Sequence, residues 1–309
     1  MTGMTQTAPK TCLSSIARML SRRQTRLGGW AYFGSGQESI EATCLSALAL
    51  APEPDLPNTR SIEFLFRLQL ASGGWPAFRG DREGSWTTAL ALSAAVVTNN
   101  TSEVCERALQ WLVAERGKES HWLWRWKFKT ADRNVRFNPD KYGWPWCRGA
   151  ASWVIPTAFS VIAIKQFTVC NRTEASERRI HLGADMLFDR ACVGGGWNAG
   201  NSVVYGVPLR AHVEATAIAL LALQDEPRGE IIDLGLLWLT QEAATIDSVS
   251  SLAWCVLCLF VYQRPIEQLK KRLADMVKDG SEIRNNATLA TALLALRCGE
   301  MIHPFLVLR

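Results

Sequence analysis

Histidine and tyrosine are scarce in this chain, with four of each among 309 residues. No cysteine adjoins His121, His181, His212 or His303, so the Cys-His pairs of zinc sites are missing, and no metal or other cofactor is expected. No apolar run approaches the length that crosses a bilayer. Lys10, Arg18, Arg22 and Arg23 are followed by no continuous apolar core, so no secretory signal is expected. The nine cysteines are odd in number and lack a framework, as expected of reduced thiols in a cytoplasmic protein. Cys255 and Cys258 sit in an apolar stretch without a second pair and are read as buried thiols. Charge is also thin: the net value is +5, and Lys and Arg are scattered apart from one insert. Nucleic acid is therefore not an expected partner, because its footprint would be a clustered one.

What the chain does have is tryptophan, thirteen of them, and a repeat. Leu187–Leu223 holds a helix end, the turn Gly195-Gly196-Trp197, and an alanine-leucine helix opening at Thr216. Gly28-Gly29-Trp30 leads in the same way to Thr43, and Gly73-Gly74-Trp75 to Thr88. Thirteen residues separate Trp30 from Thr43, Trp75 from Thr88 and Trp144 from Thr157; Trp197 and Thr216 are nineteen apart, a six-residue insertion. A leucine sits ten residues before tryptophan in the pairs Leu20/Trp30, Leu65/Trp75, Leu112/Trp122 and Leu187/Trp197. Phased self-similarity of this kind defines a repeat architecture.

The unit reads as an outer and an inner helix. Expected outer helices are 14–23, 59–71, 102–116, 174–190, 230–242 and 266–278, each with charge on one face. Expected inner helices are 39–50, 85–97, 156–167, 213–223, 249–262 and 286–296, apolar nearly all round, as enclosed helices are. Glycine after an outer helix suits the left-handed position that ends it. Strand signals are almost absent. Six pairs imply an all-α fold in one domain, an (α/α)6 toroid of two concentric rings over 13–309, behind a loose tail at 1–12. An insert at 117–149 interrupts it.

Phe64, Leu65, Gln69, Gly73 and Trp75 form an aromatic-Leu-x3-Gln-gap-Gly-x-Trp motif; Met19, Leu20, Gln24, Gly28 and Trp30 repeat it, and Trp238, Leu239 and Gln241 leave a trace. This resembles the QW repeat of triterpene cyclases. Over roughly residues 14–298 the chain looks like a single-domain member of the squalene-hopene cyclase and protein prenyltransferase superfamily. The resemblance implies a toroid around an apolar cavity. Triterpene cyclases have two helical domains, and this chain is long enough for one. The motif tryptophans themselves read first as packing, with each indole N–H satisfied locally.

Two stretches carry candidate chemistry. His212-Val213-Glu214-Ala215-Thr216-Ala217 is similar to the Asp-x-Asp-Asp-Thr-Ala of class II terpene cyclases. The resemblance puts Glu214 at the protonating position with His212 as its partner, although His212 and Ala215 replace two of the aspartates. The plainer alternative is a first-turn carboxylate favoured by the helix dipole, and Glu41 occupies the equivalent place in the first unit. Within the insert, Trp122, Trp124 and Trp126 alternate with Arg125, Lys127 and Lys129, and Arg148 follows. That alternation predicts a short two-faced strand or extended lid. Arg125, Lys127 and Arg148 would bind a diphosphate, or the insert would touch an anionic membrane surface; the alternative is a loop packed on the ring.

Trp86, Trp153, Phe159 and Trp254 lie on or before inner helices, where aromatic faces could attract a carbocation; core packing is the competing role. The Asp-x-Cys of prenyltransferases and an Asp-rich magnesium motif are both missing. Trp146-Cys147-Arg148-Gly149 only faintly resembles lanthionine cyclases. The leading expectation is an isoprenoid-handling enzyme resembling a class II cyclase, with a linear polyprenyl or other apolar molecule in a hollow bore. A non-catalytic toroid binding a lipid or protein, or a metal-dependent prenyltransferase-like protein, are the alternatives.

Overall fold

The structure, a computed structural model, describes residues 10–34, 36–53, 59–130 and 136–307. Most of the expected tail at 1–12 lies outside these residues, and Lys10 already opens the first helix. In chain order the α-helices are α1 (Lys10–Arg22), α2 (Ile40–Leu50), α3 (Thr59–Arg67), α4 (Thr87–Val97), α5 (Glu103–Ala114), α6 (Trp122–Thr130), α7 (Val154–Phe167), α8 (Glu174–Asp189), α9 (Val213–Ala222), α10 (Glu230–Ala243), α11 (Val249–Val261), α12 (Glu267–Val277) and α13 (Asn286–Leu296). The protein is an all-α toroid. Helices α2, α4, α7, α9, α11 and α13 pack side by side in that order, and α13 returns to α2 to close the ring. Helices α1, α3, α5, α8, α10 and α12 form the outer layer, each packing chiefly against the inner helix that precedes it in the ring (α1 against α13), and α6 stands apart from this scheme.

The strand content among the described residues is two small antiparallel ribbons. One pairs β1 (Trp30–Ala31) with β2 (Glu38–Ser39); the other pairs β3 (Val203–Val204) with β4 (Val207–Pro208). The second accommodates the six-residue insertion. Its tip is Tyr205-Gly206, both at positive φ (51° and 76°), the backbone that a two-residue hairpin turn demands.

The repeat grammar resolves into hydrogen bonds. Each motif indole donates to the leucine carbonyl ten residues upstream: Trp30 to Leu20 (2.9 Å), Trp75 to Leu65 (2.7 Å) and Trp197 to Leu187 (2.6 Å). Each motif tryptophan also donates its backbone N–H to the helix-opening threonine: Trp30 to Thr43, Trp75 to Thr88, Trp144 to Thr157 and Trp197 to Thr216, at 2.8–3.0 Å. The motif glutamines close the turns, Gln24 onto the Gly28 carbonyl and Gln69 onto that of Gly73. The pairing Leu112/Trp122 is corrected. Leu112 receives the indole of Trp144 at 2.8 Å, because the insert separates the leucine from its own repeat's tryptophan.

These turns also join one repeat to the next. Gly73 has φ +92°, and a Cβ there would lie 2.4 Å from the carbonyl oxygen of Arg107 on α5. Gly28 and Gly195 meet Arg60 on α3 and Leu234 on α10 in the same way. The glycine therefore lets the turn press against the next outer helix, and no larger residue would fit. Ring closure is pinned by Arg23 to the Ile283 carbonyl (2.6 Å) and by Arg297 to that of Ala49 (2.6 Å).

The insert differs from the two-faced strand that its alternation suggested: Trp122–Thr130 is helical. Residues four apart then share a face, so Trp122 groups with Trp126, and Trp124 with Phe128. The bore also differs from a hollow drum. After α13 the chain turns back under the ring, and Phe305 reaches into its centre with no exposed surface. Gln166, near the end of α7, donates to the carbonyls of Pro304 (2.9 Å) and Leu306 (3.1 Å). Gln224, just past α9, donates to the Phe305 carbonyl (2.9 Å) and accepts from the Val307 N–H (3.1 Å). The end of the bore at the helix C-termini is thus closed by the tail.

Candidate active site at the mouth of the ring

All six inner helices run in the same direction, so their first turns surround one end of the bore. Ser39 caps α2 by accepting from Ala42, and Asn285 caps α13 by accepting from Thr288 at 3.0 Å. On α2, α7 and α9 the second residue is left partly exposed in the first turn. Glu41 is partly exposed between buried Ile40 and Ala42, and Ile155 likewise between buried Val154 and Pro156. Glu214 and Ser250 hold the same position on α9 and α11. In the ring order α2 and α9 are three places apart, which sets Glu41 and Glu214 on opposite sides of the mouth.

The two carboxylates differ in surroundings. Glu41 accepts a short hydrogen bond from the phenol of Tyr32. Burial pushes its carboxyl above the usual range; the Tyr32 bond opposes that shift, and the negative charge of Glu214 adds to it. Tyr32 is in turn held well above an ordinary phenol, first by burial and then by Glu41. Glu214 accepts from the Ser251 hydroxyl at 3.3 Å. His212 is an exposed residue at the cap position of α9; its backbone N–H donates to the Trp197 carbonyl (2.7 Å), and its ring has no hydrogen bond to Glu214.

Deeper in the bore lies an aromatic layer. Phe159 on α7 contacts Trp86, just before α4, with ring centroids 5.8 Å apart, and Trp254 on α11 at 5.7 Å. Phe305 completes the layer from below, 5.3 Å from Trp254 and 5.8 Å from Phe159. Phe159 and Trp254 are each five residues into their helices, so the layer sits about 7–8 Å below the mouth at 1.5 Å per residue. Trp153 is not part of it. It is 37% exposed and its ring packs over Gly200 at 3.1 Å from a Cβ built there.

The three cations singled out in the insert do not converge. Arg125 is tied to Asp140 (3.4 Å) and to the Ser120 carbonyl (2.8 Å). Lys127 lies over the Trp124 ring at 4.8 Å, and Arg148 is exposed beyond α6. Among the described residues there is no group of three His, Cys, Asp or Glu placed to hold a metal ion. The residues that sequence reasoning passed over are Tyr32 and Phe305. Glu41 was visible as the counterpart of Glu214, but its partner sits nine residues upstream across a turn.

A closed ring of six helical hairpins with carboxylates at its mouth defines a toroid protein. No protein-family model and no curated protein matches the chain. Solved structures do. A protein from Actinoplanes superposes with TM-score 0.63 at 15% identity, over 94% of this chain and 99% of that one. A novel alpha-amylase from Clostridium perfringens gives 0.63 at 11% identity, over 94% and 99%. A variant of the type II terpene cyclase MstE from Scytonema, in complex with geranylgeranyl dihydroxybenzoate, gives 0.59 at 16% identity, over 94% and 96%. Identities this low establish the shared toroid fold, which is common to proteins of different activity. No helix among the described residues is long and apolar enough to cross a membrane.

Proposed function

We propose that the protein is an isoprenoid-handling enzyme resembling a single-domain class II terpene cyclase, with the mouth of its ring as the active site. The observation that carries this reading is the Glu41–Tyr32 pair over an aromatic floor. A protonating acid has to keep its proton until an alkene arrives, and burial with a carboxylate opposite favours the protonated form. Glu41 is therefore the proposed donor, and Tyr32 orients it. Glu214, the residue that the motif resemblance selects, acts from across the mouth as a charge that adds to burial in favouring the protonated form of Glu41. Trp86, Phe159 and Trp254 supply faces for the cation, each contributing about 0.5–2 kcal/mol by cation–π attraction.

The shallow depth above Phe305 shapes the substrate. A prenyl chain would lie coiled or folded over the floor instead of threading the ring, and one of its alkenes would meet Glu41. The test is incubation with linear polyprenyl substrates, their diphosphates and prenylated aromatics, with extraction and mass spectrometry for cyclised isomers. Glu41→Gln is expected to abolish cyclisation while Glu214→Gln lowers it. Full activity in Glu41→Gln would remove the residue from the mechanism, and no product from any of these substrates would remove the reading.

Opposed carboxylates support a second reading, because glycoside hydrolysis uses two of them flanking the bond to be cut, and the amylase shares the fold. An apolar aromatic floor suits a hydrocarbon better than a sugar hydroxyl array. Release of reducing sugar from oligosaccharides, lost in both glutamate variants, would favour this second reading.

A further inference from the structure

Helix α6 has no buried residue, yet it carries three tryptophans. Its other side carries a chain of ring contacts, with Trp124 still 37% exposed. Trp124 and Phe128 lie 6.1 Å apart, Phe128 meets Phe137 edge-on at 5.0 Å, and the guanidinium of Arg190 covers Phe137 at 4.2 Å. That leaves Trp122 and Trp126 one turn apart on the outward face, 71% and 60% exposed, with Leu123 beside them at 49%. A contiguous indole surface of this kind is rare on a soluble protein and marks contact with another phase or chain.

Charge identifies which. Between Lys118 and Arg148 there are eight Lys and Arg against three Asp and Glu, a surplus equal to the +5 of the whole chain. No acidic residue lies within α6 itself; its Lys127 is exposed, and its Lys129, also exposed, is paired with Asp140 at 2.5 Å. Tryptophan beside lysine and arginine on one short helix matches the boundary of an anionic bilayer, where indoles sit at headgroup depth and bases meet phosphate. The insert leaves α5 and returns at the start of α7, so this face belongs to the end of the ring that holds Glu41 and Glu214. The β3–β4 hairpin is joined to it by the Arg136 N–H on the Val203 carbonyl (3.2 Å), and its tip residue Tyr205 is 76% exposed.

We propose that α6 is a membrane-docking helix. It lies in the headgroup layer of an anionic bilayer, with Trp122, Leu123 and Trp126 inserted and Lys127 on lipid phosphate. The docked face is the one around the mouth, so an apolar molecule could pass between lipid and bore without crossing water. The docking claim itself is independent of what the bore does.

The test is co-sedimentation of the full chain with vesicles of equal parts phosphatidylcholine and phosphatidylglycerol, and with phosphatidylcholine alone. Binding to the anionic vesicles is expected, with a blue shift of tryptophan emission, and high salt should weaken it. The double variant Trp122→Ser/Trp126→Ser should bind at least about tenfold more weakly, since both membrane-inserting indoles are gone. Lys127→Gln should lose about fivefold, the share of one basic residue near an anionic surface. Both variants change only exposed side chains, so an unchanged thermal midpoint checks that they fold. Absence of wild-type binding to anionic vesicles would overturn the proposal, as would equal binding by the tryptophan double variant. Self-association through Trp122 and Trp126 without vesicle binding would also overturn it and make the face a protein interface.

Discussion

Phe305→Ala probes the feature that most changes the picture of the bore. The side chain has no exposed surface and fills the space between Phe159 and Trp254. Truncating a buried phenylalanine costs about 3–5 kcal/mol when the surroundings cannot collapse. Here they are inner helices locked in a ring, so collapse is limited. The tail, however, is the last described segment and is fastened mainly by Gln166 and Gln224. It can undock alone, which caps the loss in global stability at the free energy of holding the tail. The expected result is therefore a modest fall in the urea midpoint, faster hydrogen exchange at Leu306 and Val307, and a bore opened from below. An apolar fluorescent dye should then bind where wild type binds little.

A pH effect accompanies it. Burial lowers the His303 pKa to about 4. A base depressed below its unfolded value of about 6.5 stabilises the docked tail above that value and loses the contribution as pH falls toward 4. The difference corresponds to about 3 kcal/mol, so tail exchange should accelerate in wild type between pH 6.5 and 4. Unchanged midpoint, exchange and dye binding in Phe305→Ala would refute the reading of Phe305 as the floor of the bore.

Thr216→Val leaves the Trp197 N–H without its acceptor at 2.8 Å and should cost about 1–3 kcal/mol in urea denaturation. Thr43→Val and Thr88→Val should cost alike, because the same bond recurs in each repeat. Gly73→Ala combines a φ of +92° with a Cβ 2.4 Å from a carbonyl oxygen and should cost more than about 2 kcal/mol. Gly149→Ala, at φ +77° with open space around it, should cost about 1 kcal/mol, the backbone effect alone. Glu41→Gln should raise the thermal midpoint at pH 7 and leave it unchanged near pH 4. The raised pKa of Glu41 means the carboxyl favours the fold while protonated and loses that contribution as pH rises through its folded value. A Glu41→Gln midpoint that is lower at pH 7 than wild type would contradict the assignment.

The architecture was legible because each repeat writes its own contacts at a fixed spacing. Thirteen residues from Trp75 to Thr88 is one turn and a hydrogen bond, and ten from Leu65 to Trp75 is the indole bond that ties the outer helix to it. Local periodicity carries such information. It failed where an insertion broke the phase: Trp122 stands ten residues after Leu112, but Trp144 makes the bond. Alternation of tryptophan with base also misled, since Trp122–Thr130 satisfies a helix with two aromatic faces as readily as a strand.

The candidate site was legible in half. Glu214 and its counterpart Glu41 stand at matching positions of two repeats, and the sequence alone makes them equivalent. Only ring closure sets α2 opposite α9, and only the turn at β1 brings Tyr32 onto Glu41 and not onto Glu214. The aromatic layer follows the same division. Phe159 and Trp254 could be nominated from their places on inner helices, whereas of the two tryptophans that stand one residue before a helix, Trp86 joins the layer and Trp153 turns outward onto Gly200. What the chain determined by itself is the hairpin, because hydrogen bonds within a repeat join residues a fixed distance apart. What tertiary structure decided is the interior, because the residue that fills the bore, Phe305, comes from beyond the last repeat and meets partners about fifty and 146 positions away.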